Sequence, residues 1–395
     1  MSKLWSTIKR NYLSIGLLFL MLLLSSMQLR SQWPAMKTDA DSLVLLGADY
    51  IYNMEFDKAE KCFNEVIKKY PQLPAGYFLN AMVDWWKIAV FRDSREYDNS
   101  FLKKIQKVLD VCDQILDTNE FELSALFFKG GALGYRGRFH VVRENWFRAA
   151  SDGHSAYQIL LKCLEIAPNN YDIMLGTGIY NYFAEVLPEQ YPVIKPLMLF
   201  LHKGDKKLGI LQLQASSKYA RYASVEAKFV LMQIYYDFEK DFYSALEIAR
   251  ELVAKYPNNP VFQRYLGRCL VSLYILDEWL EHWQRILQWY SEKKPGYDLL
   301  TAREALYYLG SALMEKGKYD EALNYFYKCD ELSRKLDKDG PSPFMIYLNL
   351  KIGKIFDLQG KRKYAIMQYQ KVLSWKNFRD SHEQANKYLQ TPYTR

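Results

Sequence analysis

From Leu46 to Pro71 the chain reads LGADYIYNMEFDKAEKCFNEVIKKYP, with apolar residues three or four apart and small residues set among them. The spacing of Gly47, Tyr50, Phe56, Ala59, Phe63, Val66 and Pro71 predicts two amphipathic antiparallel helices. Gly47 and Ala59 fall where the helices would cross, so close approach is open to them. Phe63 and Val66 continue the inner face, and Pro71 stops the second helix. The same spacing returns at Gly310, Leu313, Tyr319, Ala322, Phe326 and Cys329, and again at Gly353, Phe356, Arg362, Ala365, Tyr369 and Val372. A further copy has Gln233, Tyr236, Phe242, Ala245, Ala249, Leu252 and Pro257, with Asn258 and Asn259 ready to cap the next helix. A degenerate copy keeps Gly267 and Leu270 in register but puts Trp279 and Trp283 in the small and aromatic slots. With 19 Gly and 13 Pro there are too few turn residues for an all-β chain of 395 residues.

This order of Gly, Tyr, aromatic, Ala, Phe, apolar and Pro is similar to the pattern of the tetratricopeptide repeat, whose period is about 34 residues. The resemblance implies an all-α fold, an α-α superhelix in which antiparallel helical hairpins stack into a solenoid. Regular repeats are expected near 43–74, 226–259, 260–294, 303–336 and 346–379, within a body spanning 32–395. Residues 75–225 resist that ruler. Gly130 fits the first helix of a repeat, while Ala156, Leu160, Cys163 and Pro168 fit the second only after an insertion of about 14 residues. Gly176 and Ile179 open a repeat that Gly209, Leu213 and Arg221 close. Lengthened helices or inserted turns would reconcile both, and such insertions tend to gather on one face of a solenoid. The stretch from Phe127 to Pro260, with FFKGGALGYRGRFHVVRENWFRAASDGHSAY, LEIAPNNYDIMLGTGIYNYFAEVLP and GDKKLGILQLQASSKYARYASVEAKF, resembles a group of exported bacterial repeat proteins. That likeness implies a fold and brings no known activity.

The N-terminus has the layout of an export signal. Lys3, Lys9 and Arg10 precede the apolar run from Ile15 to Leu24, and Ser25, Ser26, Gln28, Ser31 and Gln32 follow. A signal peptide over 1–31 with cleavage after Ser31 is the expectation. An uncleaved anchor is the competing reading, since Asn11 to Leu29 carries no charge and is just long enough to span. Either way the body is expected outside the cytoplasm, in the periplasm or cell envelope of a Gram-negative bacterium.

The net charge is +8, but Lys3, Lys9, Arg10 and Arg30 supply half of it within the leader. What remains is a mild bias with no long run of like charge, which argues against a nucleic-acid partner. The five cysteines, Cys62, Cys112, Cys163, Cys269 and Cys329, form no C-x-x-C and are far apart, so buried free thiols are expected. No catalytic signature is present. Gly176-Thr-Gly178-Ile-Tyr-Asn181 lacks the third glycine of a dinucleotide loop, and a helix-packing role for Gly176 is preferred. The five histidines show no metal-ligand spacing. Glu185 and Glu189 lie one turn apart, but Pro188 should break that turn and leave them in a solvated loop. No cofactor, metal or catalytic residue is expected.

Three features remain as candidates for binding. Residues 192–201 form a short apolar run bounded by prolines and followed by lysines, read first as packed core and second as a weak membrane contact. Arg136, Arg138 and Arg143 lie in a glycine-rich stretch and suit either an anion pocket or pairing with acids such as Glu144 and Asp152. Arg264 and Arg268 occupy the fifth and ninth positions of the degenerate repeat, which face the groove in the superfamily it resembles. They would hold an acidic segment, or else pair with Glu226, Asp237 or Glu304. The sequence therefore points to a non-catalytic scaffold that binds a protein or peptide, an acidic one if those arginines serve it, in a concave helical groove. The alternative is an envelope enzyme or glycan-binding accessory with a pocket made by the middle insertions.

Overall fold

The computed structural model describes residues 38–192, 195 and 202–395. The leader at 1–31 and most of the apolar run at 192–201 lie outside the described residues. Among the described residues the regular elements are helical and none is a β-strand. No helix among them is long and apolar enough to cross a membrane. The fold is the all-α stack of helical hairpins that the repeat spacing predicts.

The chain divides into two compact units, the first ending at Val230 and the second running from Leu231 to Arg395. The first contains α1 (Thr38–Tyr52), α2 (Phe56–Lys69), α3 (Pro74–Val90), α4 (Asp98–Leu116), α5 (Leu123–Val142), α6 (Trp146–Ile166), α7 (Ile173–Gln190) and α8 (Lys206–Tyr219). The division falls within α9 (Ser224–Gln233). The second unit continues through a π-helical turn at Ile234–Glu239 into α10 (Phe242–Lys255), α11 (Pro260–Ser272), α12 (Leu276–Ser291) and α13 (Leu299–Glu315). It closes with α14 (Tyr319–Leu336), α15 (Pro343–Leu358), α16 (Arg362–Leu373) and α17 (Ser381–Gln390).

One contact repeats in these hairpins. A Cβ placed on Gly47 would lie 2.5 Å from the Phe63 ring. On Gly310 it would lie 2.6 Å from Phe326, on Gly353 2.5 Å from Tyr369, and on Gly267 2.7 Å from Trp283. In each hairpin the aromatic ring of the second helix rests on bare backbone of the first. Phe63, Phe326, Tyr369 and Trp283 are fully buried as a result. The degenerate copy keeps this contact through Trp283, while Trp279 fits the small slot by donating its indole N–H to the Tyr308 carbonyl at 3.0 Å.

The same contact locates the extra residues of the middle. A Cβ on Gly130 would lie 2.9 Å from Leu160, so α5 and α6 cross as α1 and α2 do. Beyond that crossing α5 runs about two turns further than α1 does past Gly47, and α6 starts about two turns earlier than α2 does before Phe63. The insertion is thus shared between two lengthened helices, and its tip carries Arg136, Arg138 and Arg143. In the next hairpin the crossing with α8 belongs to Gly178, whose Cβ would meet the Leu213 side chain at 2.9 Å and the Gly209 carbonyl at 3.0 Å. Gly176 packs instead on Leu160 of the preceding α6. Pro188 does not end α7, which continues to Gln190. In the final turn proline forfeits a single hydrogen bond, and Tyr191 N still reaches Leu187 O at 2.8 Å. Glu185 consequently sits on a helix, accepting from Lys206 N at 2.7 Å at the start of α8.

Several helix starts are capped by short side-chain oxygens. Asn259 Oδ1 accepts from Val261 N and Phe262 N at 3.0 and 3.3 Å, Asp205 accepts from Leu208 N, and Asp298 from Thr301 N. All five cysteines are buried and free of disulfides. Burial pushes the thiols of Cys112, Cys163, Cys269 and Cys329 up to about 12, which makes them inert fillers of the core.

Within the first unit, residues distant in sequence meet. Trp86 of α3 lies 5.2 Å from both Tyr52 of α1 and Phe229 of α9, ring centre to ring centre. The Arg221 guanidinium and the Tyr222 hydroxyl both donate to Asp41 at the start of α1. Asp172 accepts from Tyr222 N and Ala223 N at 2.8 Å. The turn between α8 and α9 is thereby tied to the start of α1 and to the start of α7.

The glycine contact makes a prediction with two signs. Gly310→Ala should destabilise by about 1–3 kcal/mol, because Phe326 cannot retreat from a packed core. Gly153→Ala, in a helix with nothing near its Cβ, should stabilise by about 0.5–1 kcal/mol. Urea unfolding of both variants reads the difference; equal effects would refute the packing.

Candidate functional site

The arginines singled out from the sequence fall into two places. In the first unit, the lengthened α5 carries Arg136 and Arg138 on its last turns, with Arg143 at its C-terminus. Arg136 forms a two-pronged pair with Asp152 of α6, both bonds at 2.7 Å. Arg143 makes the same fork to Asp98 at 2.8 and 2.6 Å and also donates to the carbonyls of Arg92 and Ser94. It therefore pins the α5–α6 turn to the loop before α4. Arg138 points elsewhere. Its guanidinium lies 4.9 Å from the Trp85 ring and 5.2 Å from Tyr135, with Nη1 3.8 Å from Oε2 of buried Glu226. Glu226 Oε1 accepts from the Trp86 indole N–H at 2.8 Å. Burial raises the Glu226 carboxyl above the usual carboxylate range, against the opposing pull of Arg138 and the Trp86 hydrogen bond.

In the second unit the first helices of successive hairpins, α11, α13 and α15, form one layer. Arg264 and Arg268, one turn apart on α11, both bind Glu304 of α13, Arg264 Nε at 2.8 Å and Arg268 Nε through the other oxygen. Glu304 is 1% exposed and Arg264 8%, so the pair is sealed, while Arg268 reaches the surface in part. Burial alone would raise the Glu304 carboxyl, but the two guanidiniums outweigh it and hold it at about 2. Two positive charges share one negative charge here.

Alongside, α15 contributes Lys351 and Lys354. Lys351 has no hydrogen bond or ion pair among the described residues; its ammonium faces the Tyr307 ring at 5.9 Å. Lys354 donates to Gln384 at 3.0 Å and lies over Tyr388 and Tyr393 at 4.9 and 5.1 Å. Burial, then the neighbouring Lys351, push the Lys354 ammonium down to about 8. Burial likewise lowers Lys351. With half-buried Tyr307 and Tyr308 between the arginines and the lysines, the layer is a tyrosine-lined strip with surplus positive charge. The two lysines escaped the sequence reading, although Lys354 follows Gly353 as Arg268 follows Gly267, which was a usable signal.

Among the described residues no group of three His, Cys, Asp or Glu side chains is placed to hold a metal. His282 accepts or donates at the Gln263 carbonyl, 2.8 Å away, and His154 stacks on His202 at 5.4 Å. Neither pair brings a nucleophile and a base together.

Residues 41–72 and 304–336 each match a family model described as tetratricopeptide repeat. The chain carries tetratricopeptide repeats. The first match covers the α1–α2 hairpin with its Gly47–Phe63 contact, and the second covers α13 and α14 with Gly310 and Phe326. No curated protein matches the chain in sequence. Among solved structures, yeast Tom70 is similar over 88% of this chain and 87% of its own, at 12% identity and a TM-score of 0.40. A human IFIT1 dimer with PPP-AAAA is similar over 86% of this chain and 70% of its own, at 12% identity and a TM-score of 0.38. Neither likeness assigns this chain a partner.

The arginine pair on Glu304 gives a prediction for stability. Glu304→Gln leaves buried Arg264 and part-buried Arg268 uncompensated and should cost about 3–5 kcal/mol. Because its carboxyl is held below the unfolded value, the wild-type contribution is present above about pH 4 and fades as pH falls through about 2. Thermal melts between pH 2 and 7 should show the gap between wild type and variant narrowing on the acid side.

Proposed function

We propose that this tetratricopeptide-repeat protein is a non-catalytic interaction scaffold that holds an acidic segment of a protein partner against the first-helix layer of its second unit. The observation that carries the reading is the unbalanced charge there. Arg264 and Arg268 share Glu304, and among the described residues Lys351 and Lys354 have no carboxylate within ion-pair distance. The successive carboxylates of an extended acidic segment laid across α11, α13 and α15 would supply that charge to Arg268, Lys351 and Lys354 in a partly desolvated setting, where such pairs are strongest. Tyr307 and Tyr308 add flat amphipathic surface of the kind enriched at protein interfaces. Arg264 serves chiefly to hold Arg268 and Glu304 in place. In the first unit, Arg136 and Arg143 already have both prongs committed to acids and are assigned to holding the lengthened hairpin.

The export layout of residues 1–31 supports a place in the periplasm or cell envelope, with the leader removed after Ser31. N-terminal sequencing of the protein purified from its native envelope should begin at Gln32. A chain that starts at Met1 there would replace the cleaved form with an anchored one.

Binding is tested by fluorescence anisotropy with ten-residue peptides rich in Asp and Glu, set against neutral and lysine-rich peptides. Acidic peptides should bind, weaken with added salt, and bind less as pH rises through about 8, where Lys354 loses its proton. Lys351→Gln with Lys354→Gln should weaken them at least about tenfold, the loss of two charge-assisted contacts. Equal affinity for all three peptide classes, or no effect of the double variant, would overturn the reading.

A further inference from the structure

We infer that the first unit contains a binding site for a neutral hydroxyl-bearing ligand, of the sugar or polyol class, built on Arg138, Glu226 and Trp85. Three helices bring these side chains together, α5, α9 and α3. Each has a buried polar atom without a hydrogen-bond partner among the described residues: Arg138 Nη1, Glu226 Oε2 and the Trp85 indole nitrogen. Buried polar groups are normally satisfied, because one left open has lost its hydration with nothing in exchange. Three beside one another is a concentration that packing alone does not account for.

The separation of the charged pair is the second observation. Two other part-buried or buried arginines of the chain close directly on their carboxylates, at 2.7 Å for Arg136 and 2.8 Å for Arg264. Arg138 Nη1 stops 3.8 Å from Glu226 Oε2, beyond hydrogen-bond range. The guanidinium is held off by its seat against Trp85 and Tyr135, and the carboxylate by the Trp86 indole. Arg138 Nη1 and Glu226 Oε2 are left across that gap without a hydrogen bond to one another, beside Tyr135, whose hydroxyl interacts with both groups.

These three atoms define the ligand. The site offers two N–H donors and one carboxylate acceptor. Two adjacent hydroxyls match it, one oxygen accepting from Arg138 and the Trp85 indole, the other hydroxyl donating to Glu226. The charges of Arg138 and Glu226 cancel, so a charged ligand would leave a net charge in a buried setting and is disfavoured. The access side is set by exposure: the Arg138 side chain is 21% exposed, whereas Glu226 is at 8% and Trp85 at 4%. Arg138 thus stands at the mouth and the other two form the floor, among the aromatic rings of Trp86 and Tyr135. A few convergent polar groups in an aromatic wall is the usual make-up of a small-molecule site.

The test is ligand-detected saturation-transfer NMR on the full chain. The probes are glucose, galactose, N-acetylglucosamine and glycerol at millimolar concentration, with glucuronate and glucosamine as charged counterparts. At least one neutral probe should show transfer, and neither charged counterpart should bind more tightly. Arg138→Met and Glu226→Gln, checked for folding by melting temperature, should each weaken binding at least about tenfold, the value of one hydrogen bond to a charged group. If either variant fails to fold, Trp85→Phe keeps most of the packing and removes only the N–H; it should weaken binding severalfold. No transfer from any neutral probe to the wild-type chain would overturn the inference. So would tighter binding of glucuronate than of glucose, affinities unchanged in the folded variants, or a crystal soaked in the probes that shows only ordered water on the three atoms.

Discussion

An aromatic ring lying on backbone that has no Cβ is the contact on which these hairpins depend. Two helices can approach closely only where side chains are small, and Gly47, Gly267, Gly310 and Gly353 each provide that place. The ring from the second helix then fills the space and locks the crossing point. Because the contact fixes where helices cross and leaves their length free, a hairpin can grow outward without losing its packing. The α5–α6 pair does this, extending both helices beyond the Gly130–Leu160 crossing, with Arg136, Arg138 and Arg143 on the extension.

Charged side chains then take over where apolar packing stops. Arg136 ties the extended helices to one another through Asp152, and Arg143 ties their turn to the loop before α4. In the second unit the same type of pairing, Arg264 and Arg268 with Glu304, spans neighbouring hairpins and not a single one. Partners of this kind raise the cost of any other arrangement, since a lone buried charge is far less stable than a paired one. The pairs differ in what they leave over. Asp152 and Asp98 each neutralise one arginine, Glu304 must serve two, and Glu226 stands apart from Arg138. Surplus charge and open valences are what separate the places suited to binding from those that hold the fold.

The fold was legible in the sequence because a repeat writes the same local constraint several times. Gly at the crossing, an aromatic residue opposite it, small Ala at the next approach and Pro at the end are each imposed by neighbours close along the chain. Periodicity was therefore sufficient for helix type, hairpin pairing and the burial of Phe63, Phe326 and Tyr369. Where sequence reasoning went astray, the reason was also local. Pro188 was read as a break, yet in a final turn it removes one bond and the helix continues. Gly176 was placed at a crossing that Gly178 occupies, two residues along, because both are small and only the depth of Leu213 distinguishes them.

The pairing of charges was decided by tertiary structure. Arg264 and Arg268 had three acids within plausible reach, and only the lateral packing of α11 on α13 selects Glu304 over Asp237 and Glu226. Asp237 instead takes the Tyr265 hydroxyl at 2.7 Å, and Glu226 takes the Trp86 indole. The latter two residues are 140 positions apart, a distance over which no periodic pattern carries information. The sequence by itself determined the helices and the small-on-aromatic contacts that pair them, since those interactions span one hairpin. Which arginine meets which carboxylate, and which polar atoms are left open, was decided only when distant helices packed, because a charge finds its partner by proximity in space.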